Sequence, residues 1–89
     1  MTEYRIELSS TAERQLRKLQ PADRESLLRV ITGLATDPRP RGSRKLQGYD
    51  DVFRIRKGSY RIIYSIEDDR LLVLILKIGH RRDIYRAHS

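Results

Sequence analysis

The 89-residue sequence has no cysteine and no tryptophan, one phenylalanine, and two histidines, one of which stands next to the last residue. Without cysteine there is no disulfide framework and no thiolate metal site, which fits a reducing, cytoplasmic setting. Long apolar runs are also missing. The longest, Leu71 to Leu76, is far below the roughly 20 residues that a spanning helix needs, and the opening MTEYRIELSS carries no signal-type apolar core. No association with a membrane is expected. Internal repeats and low-complexity stretches are absent, and the length suits one domain over residues 1–89 with one modest core.

Charge is plentiful, mostly of one sign. Lys and Arg number 19 against 12 Asp and Glu, giving a formal charge of +7, and 15 of the 19 are arginine. Arginine grips phosphate through two parallel N–H donors and stacks on bases, whereas lysine acts as a point charge. The balance points to an anionic partner, either nucleic acid or an acidic protein.

Hydrophobic periodicity divides the chain into elements. Tyr4 to Leu8 alternates as a half-buried strand. Ser10 offers a helix cap, with Glu13 at the capping-box spacing, and Ala12, Leu16 and Leu19 form one stripe. Pro21 suits the first turn of a second helix, predicted to run to about Thr36 on Leu27, Val30, Ile31 and Leu34. Asp37 to Lys45, DPRPRGSRK, reads as an exposed, positive loop, either tracking a phosphate backbone or simply connecting two elements.

From Val52 the period becomes two. Phe53 and Ile55 fall on one side of a strand, Arg54 and Arg56 on the other. Lys57-Gly58 supplies a turn, and the next strand sets Tyr60, Ile62, Tyr64 and Ile66 against Arg61, Ile63 and Ser65. Asp68-Asp69 makes a second turn. Leu71 to Ile78 is apolar on both faces except Lys77, as in a central strand, and Gly79 is expected to turn the chain and present His80 and Arg81. The sum is an α+β fold, β-α-α-β-β-β: a mostly antiparallel twisted sheet with two antiparallel helices on one face and the arginines on an open second face.

Arg54, Arg56 and Arg61 lie on adjacent strands. Like charges that close repel unless an anion lies between them or each pairs with a carboxylate such as Asp50, Asp51 or Glu67. Imidazole is the side chain that titrates near neutral pH, so His80 is a candidate for proton transfer. Tyr85 could stack a base or close the sheet edge. Phosphate-holding cations, a titrating ring and an aromatic are what an RNA-cleaving site requires.

The segments KLQG, FRIRKGSYRIIY, the DD turn and LLVLILKIGHRRDIYR together resemble the C-terminal half of the RelE/ParE superfamily of bacterial toxins, and the helical half is similar in layout. The tail resembles the RelE branch, whose members are ribosome-dependent endoribonucleases that cut messenger RNA in the ribosomal A site. The alternative is the ParE branch, whose members inhibit DNA gyrase and lack the nuclease residues. The resemblance implies a catalytic set of Arg56, Arg61, His80, Arg81 and Tyr85. Contacts to RNA or the ribosome are expected from Arg54, Lys45, Lys57, Lys77 and Arg82. It implies attack by the RNA 2′-hydroxyl with no metal or other cofactor, a cognate antitoxin as partner, and contact with DNA only through that antitoxin. One departure stands out. RelE members carry lysines where this chain has Arg54 and Arg56, and arginine does not deprotonate in proteins. Either His80 takes the proton or Arg56 acts electrostatically.

Overall fold

A computed structural model describes residues 3–80. Strand β1 (Arg5–Leu8) leads into helices α1 (Ser10–Arg17) and α2 (Pro21–Gly33). A two-residue strand β2 (Arg44–Lys45) follows, then β3 (Val52–Lys57), β4 (Tyr60–Glu67), a 3-10 turn at Asp68–Arg70, and β5 (Leu72–His80). The strand order is β1-β5-β4-β3-β2, and the β1–β5 pair is parallel while the other three are antiparallel. The expected α+β layout is present, with β2 as an added edge strand.

The helices form where the apolar stripe and the termini agree. The cap of α1 is Ser9, not Ser10: its hydroxyl accepts from the Ala12 N–H at 3.0 Å and donates to the Leu76 carbonyl at 2.8 Å. One side chain thus closes the helix start and fastens it to β5. Arg24 donates to the Leu19 carbonyl at 2.9 Å, occupying an orphan acceptor at the α1–α2 joint. Helix α2 ends at Gly33, three residues before the expected stop, and the chain tightens into i−3 hydrogen bonds through Thr36. Ala12, Leu16, Leu27, Ile31 and Leu34 pack on Ile55, Ile62, Tyr64, Ile66, Val73, Ile75 and Ile78, so both helices cover one sheet face.

The loop after α2 is pinned rather than free. Pro38 is buried and its carbonyl accepts from the Tyr64 hydroxyl at 2.8 Å. Arg39 lies 5.4 Å over the Phe53 ring and grips Asp68, at 2.9 Å for the shorter contact. Asp68 also accepts from the Tyr4 hydroxyl at 2.5 Å. Arg39 first, then Tyr4, hold the Asp68 carboxyl below its usual range, and the same carboxylate raises the Tyr4 phenol.

Strand β5 contains a β-bulge. Tyr64 pairs with Ile75 but Ile63 with Lys77, so Leu76 is the extra residue. Side chains alternate with a period of two, so one inserted residue flips every later position to the opposite face. Unbroken alternation would have aimed Lys77 into the core; the bulge sends Ile78 there instead, and Ile78 is buried. The Ile78 N–H is taken by the Gln15 side-chain oxygen at 2.6 Å.

Candidate nucleic-acid interface

The side of the sheet away from the helices is basic. In the β3–β4 hairpin Arg56 stands directly opposite Arg61 and Arg54 opposite Ile63, while across the other edge of β3 Arg44 stands opposite Arg54. On β5, Lys77 faces Ile63 and Gly79 faces Arg61. Paired residues share a face, so Arg44, Arg54, Arg56, Arg61 and Lys77 line one surface. The hairpin closes through Gly58-Ser59, with Gly58 at a positive φ of 60°; a glycine in that first loop position matches the strand twist. Arg56 and Arg61 are therefore in direct register.

Burial is uneven across this surface. Arg56 is exposed and Arg54 half-buried, but Arg61 keeps only 2% of its exposure and Ile63 5%. The expectation of a fully open face is thus corrected. Arg61 sits on β4, between β3 and β5 in the sheet, whereas Arg44 and Arg56 toward the β2–β3 side are exposed. A groove there is lined by Arg41, Gly42, Arg44, Arg54, Ile55 and Arg56. Among the described residues none of Arg41, Arg44 and Arg54 forms an ion pair, although Arg5, Arg17, Arg29, Arg39 and Arg70 each do.

His80 lies elsewhere. It pairs with Tyr60, on the helix-side face, and its ring meets the Tyr60 ring edge-on at 5.9 Å. The Tyr60 hydroxyl donates to Asp23 at 3.1 Å, and these residues with Ser26, Lys57 and Ser59 border a second cavity. Burial, then Asp23, raises the Tyr60 phenol.

The sequence matches the model of the ParE toxin of the type II toxin–antitoxin system parDE over residues 6–85. It is 34% identical over 84 residues to the toxin RelG of Mycobacterium tuberculosis, covering 93% of this chain and 97% of that one. The chain belongs to the RelE/ParE toxin superfamily. It is also 29% identical to the mRNA interferase toxin RelE of Escherichia coli, over 88% of this chain and 83% of that protein. The fold is similar to the RelBE2 toxin–antitoxin complex of M. tuberculosis (TM-score 0.80, 32% identity, 91% of this chain and 94% of that one). It is likewise similar to the isolated E. coli RelE toxin (TM-score 0.78, 26% identity, 96% and 94%).

In this RelE-type toxin the residues expected to act together divide into three groups. Arg54, Arg56, Arg61 and Lys77 converge on the basic face. His80, Lys57 and Lys45 do not join them: Lys57 pairs with Tyr60 and Lys45 with Phe53, both on the helix side. For His80 the cause is the bulge at Leu76; Gly79, expected as a sharp turn, stays in the strand opposite Arg61 without positive φ. Arg81, Arg82 and Tyr85 lie outside the described residues. Arg44, read from the sequence only as part of the positive DPRPRGSRK loop, takes the sheet position expected for Lys45, because a two-residue strand shows no period. It also missed Ser9 and Gln15, whose polar atoms hold α1 to β5; a serine just before the assigned cap was the one available signal.

Proposed function

We propose that this chain is the toxin of a type II toxin–antitoxin pair and acts as an endoribonuclease on messenger RNA held by the ribosome. The observation that carries the reading is the Arg56–Arg61 pair, two arginines in direct cross-strand register, with Gly79 across from Arg61 on β5. Two like charges so placed suit a shared phosphate. In the reaction the RNA 2′-oxygen bonds to the adjacent phosphorus and the bond to the 5′-oxygen breaks, leaving a cyclic phosphate and a 5′-hydroxyl. Arg56 and Arg61 stabilise the charge that builds on the non-bridging oxygens, a fixed electrostatic contribution. Arg81 steadies the charge on the leaving 5′-oxygen, which takes up a proton from water, and Tyr85 stacks a base. With His80 on the far face, the 2′ proton goes to an acceptor brought by the substrate and its ribosome. The E. coli relative named an mRNA interferase supports the reaction class.

The partner is a cognate antitoxin, as in the RelBE2 toxin–antitoxin complex of M. tuberculosis and in the RelE–RelB complex of Pyrococcus horikoshii that the fold resembles. Its acidic or amphipathic segment would cover basic surface, and DNA contact would run through it. The site of action is the cytoplasm; among the described residues no helix is long and apolar enough to cross a membrane. The ParE name of the matching family model favours a second reading, inhibition of DNA gyrase. A primer-extension map of message, with and without ribosomes, run beside a supercoiling assay separates the two. Cleavage that needs ribosomes supports the nuclease; blocked supercoiling with intact message overturns it.

A further inference from the structure

The groove at the β2–β3 edge extends the basic face beyond the pair assigned to the scissile phosphate. On β3, Arg54 follows the row containing Arg56 and Arg61 by one pleat, and Arg44 stands opposite it. Two residues along a strand span about 6.7 Å, comparable to the step between successive phosphates of an extended single strand. The two rows form a ladder of cations with that repeat. Arg41 continues it, brought to the groove by the loop at Gly42, whose φ of 97° suits glycine alone. An Arg–Arg pair across a two-residue edge strand is destabilising by itself, and among the described residues no carboxylate offsets Arg41, Arg44 or Arg54.

We infer that Arg41, Arg44 and Arg54 form a track for the phosphates flanking the cleavage site of single-stranded RNA, running from the Arg56–Arg61 pair along β3 to the sheet edge. The occupant is a ribose-phosphate backbone rather than bases, because the groove offers guanidinium groups and no aromatic ring among its lining residues. The inference rests on the nuclease reading and adds residues to it. The track reads no sequence; it fixes the register of the strand.

The test measures binding of an uncleavable, 2′-O-methylated single-stranded oligonucleotide by the full chain across a salt series. Each phosphate contact to a single strand adds about 0.7 to the slope of log K against log salt. R41Q/R44Q should therefore flatten the parent slope by about 1.4 and weaken binding about tenfold or more at ~0.1 M salt. The control R5Q/R29Q, which removes two arginines from β1 and α2, should keep the parent slope. A circular-dichroism melt establishes that both variants fold. An unchanged slope in R41Q/R44Q, with the parent still cutting ribosome-bound message, overturns the track and leaves the nuclease standing. If the parent neither binds the oligonucleotide nor cuts message, both readings fall. Loss of antitoxin binding with an unchanged RNA slope gives the groove to the antitoxin and also overturns the inference.

Discussion

Gly79 stands directly across from Arg61 in the β4–β5 pairing. Glycine puts no side chain beside the buried arginine, and its φ there is not positive, so what it offers is the place a Cβ would take. Gly79→Val should keep the strand, since valine favours β structure, while filling that space. The expected result is at least a tenfold loss of cleavage in primer extension with a circular-dichroism spectrum like the parent's.

Removing the guanidinium itself should cost more. Arg61→Ala is expected to lower the cleavage rate about 10²–10³-fold, the range seen when one preorganised donor to a developing negative charge is lost. Arg61→Lys should fall between the two, keeping the charge but not the forked donor. Single-turnover cleavage of ribosome-bound message reads both.

His80 gives the opposite expectation. Its ring lies against Tyr60 on the helix-side face, away from the Arg56–Arg61 pair. His80→Ala should change the single-turnover rate by less than about threefold, well short of the 10²–10⁴ that a proton-transfer group contributes. A hundredfold loss in that assay would restore the imidazole to the chemistry.

The Asp68 carboxylate, held below its usual pKa by Arg39 and Tyr4, links stability to pH. A depressed folded pKa means that the group adds stability above its unfolded value, about 3.9, and loses it as pH falls through the folded pKa. Asp68→Asn should therefore melt below the parent at pH 7, with the two melting temperatures converging as the solution is acidified below that unfolded value. A gap that stays constant with pH would mean that charge is not what Asp68 contributes.

Gln15 is the partner of the buried Ile78 N–H just after the bulge. Leaving a buried donor unmade costs about 1–3 kcal/mol, so Gln15→Ala should lower unfolding free energy in urea by about that amount. Ser9→Ala loses both a helix cap and the tie to Leu76, and a drop of about 1–2 kcal/mol is expected.

Much of this arrangement was legible in the residues. The change from a 3.6 to a 2.0 period at Val52 gave the hairpin, and alternation alone set Arg54, Arg56 and Arg61 on one side. The bulge was not legible, because Leu76 is as apolar as Leu74 and Ile75 around it, and a run buried on both faces carries no parity. Lys77 was the one hint: unbroken alternation would have buried it. Ile78, Gly79 and His80, the described residues after it, inherit the shift. The basic edge was hidden for a different reason, since Arg44 and Lys45 make a strand too short to show which of the two faces the arginines.

Among the described residues the first strand, Arg5–Leu8, pairs only with β5, Leu72–His80. Contacts so distant in sequence form late, and synthesis delivers the N-terminus first. A nascent chain still threaded through the ribosome lacks the very strand that seats Gly79 beside Arg61. The sheet that carries the basic pair is thus completed only once β5 has itself been made and has left the ribosome.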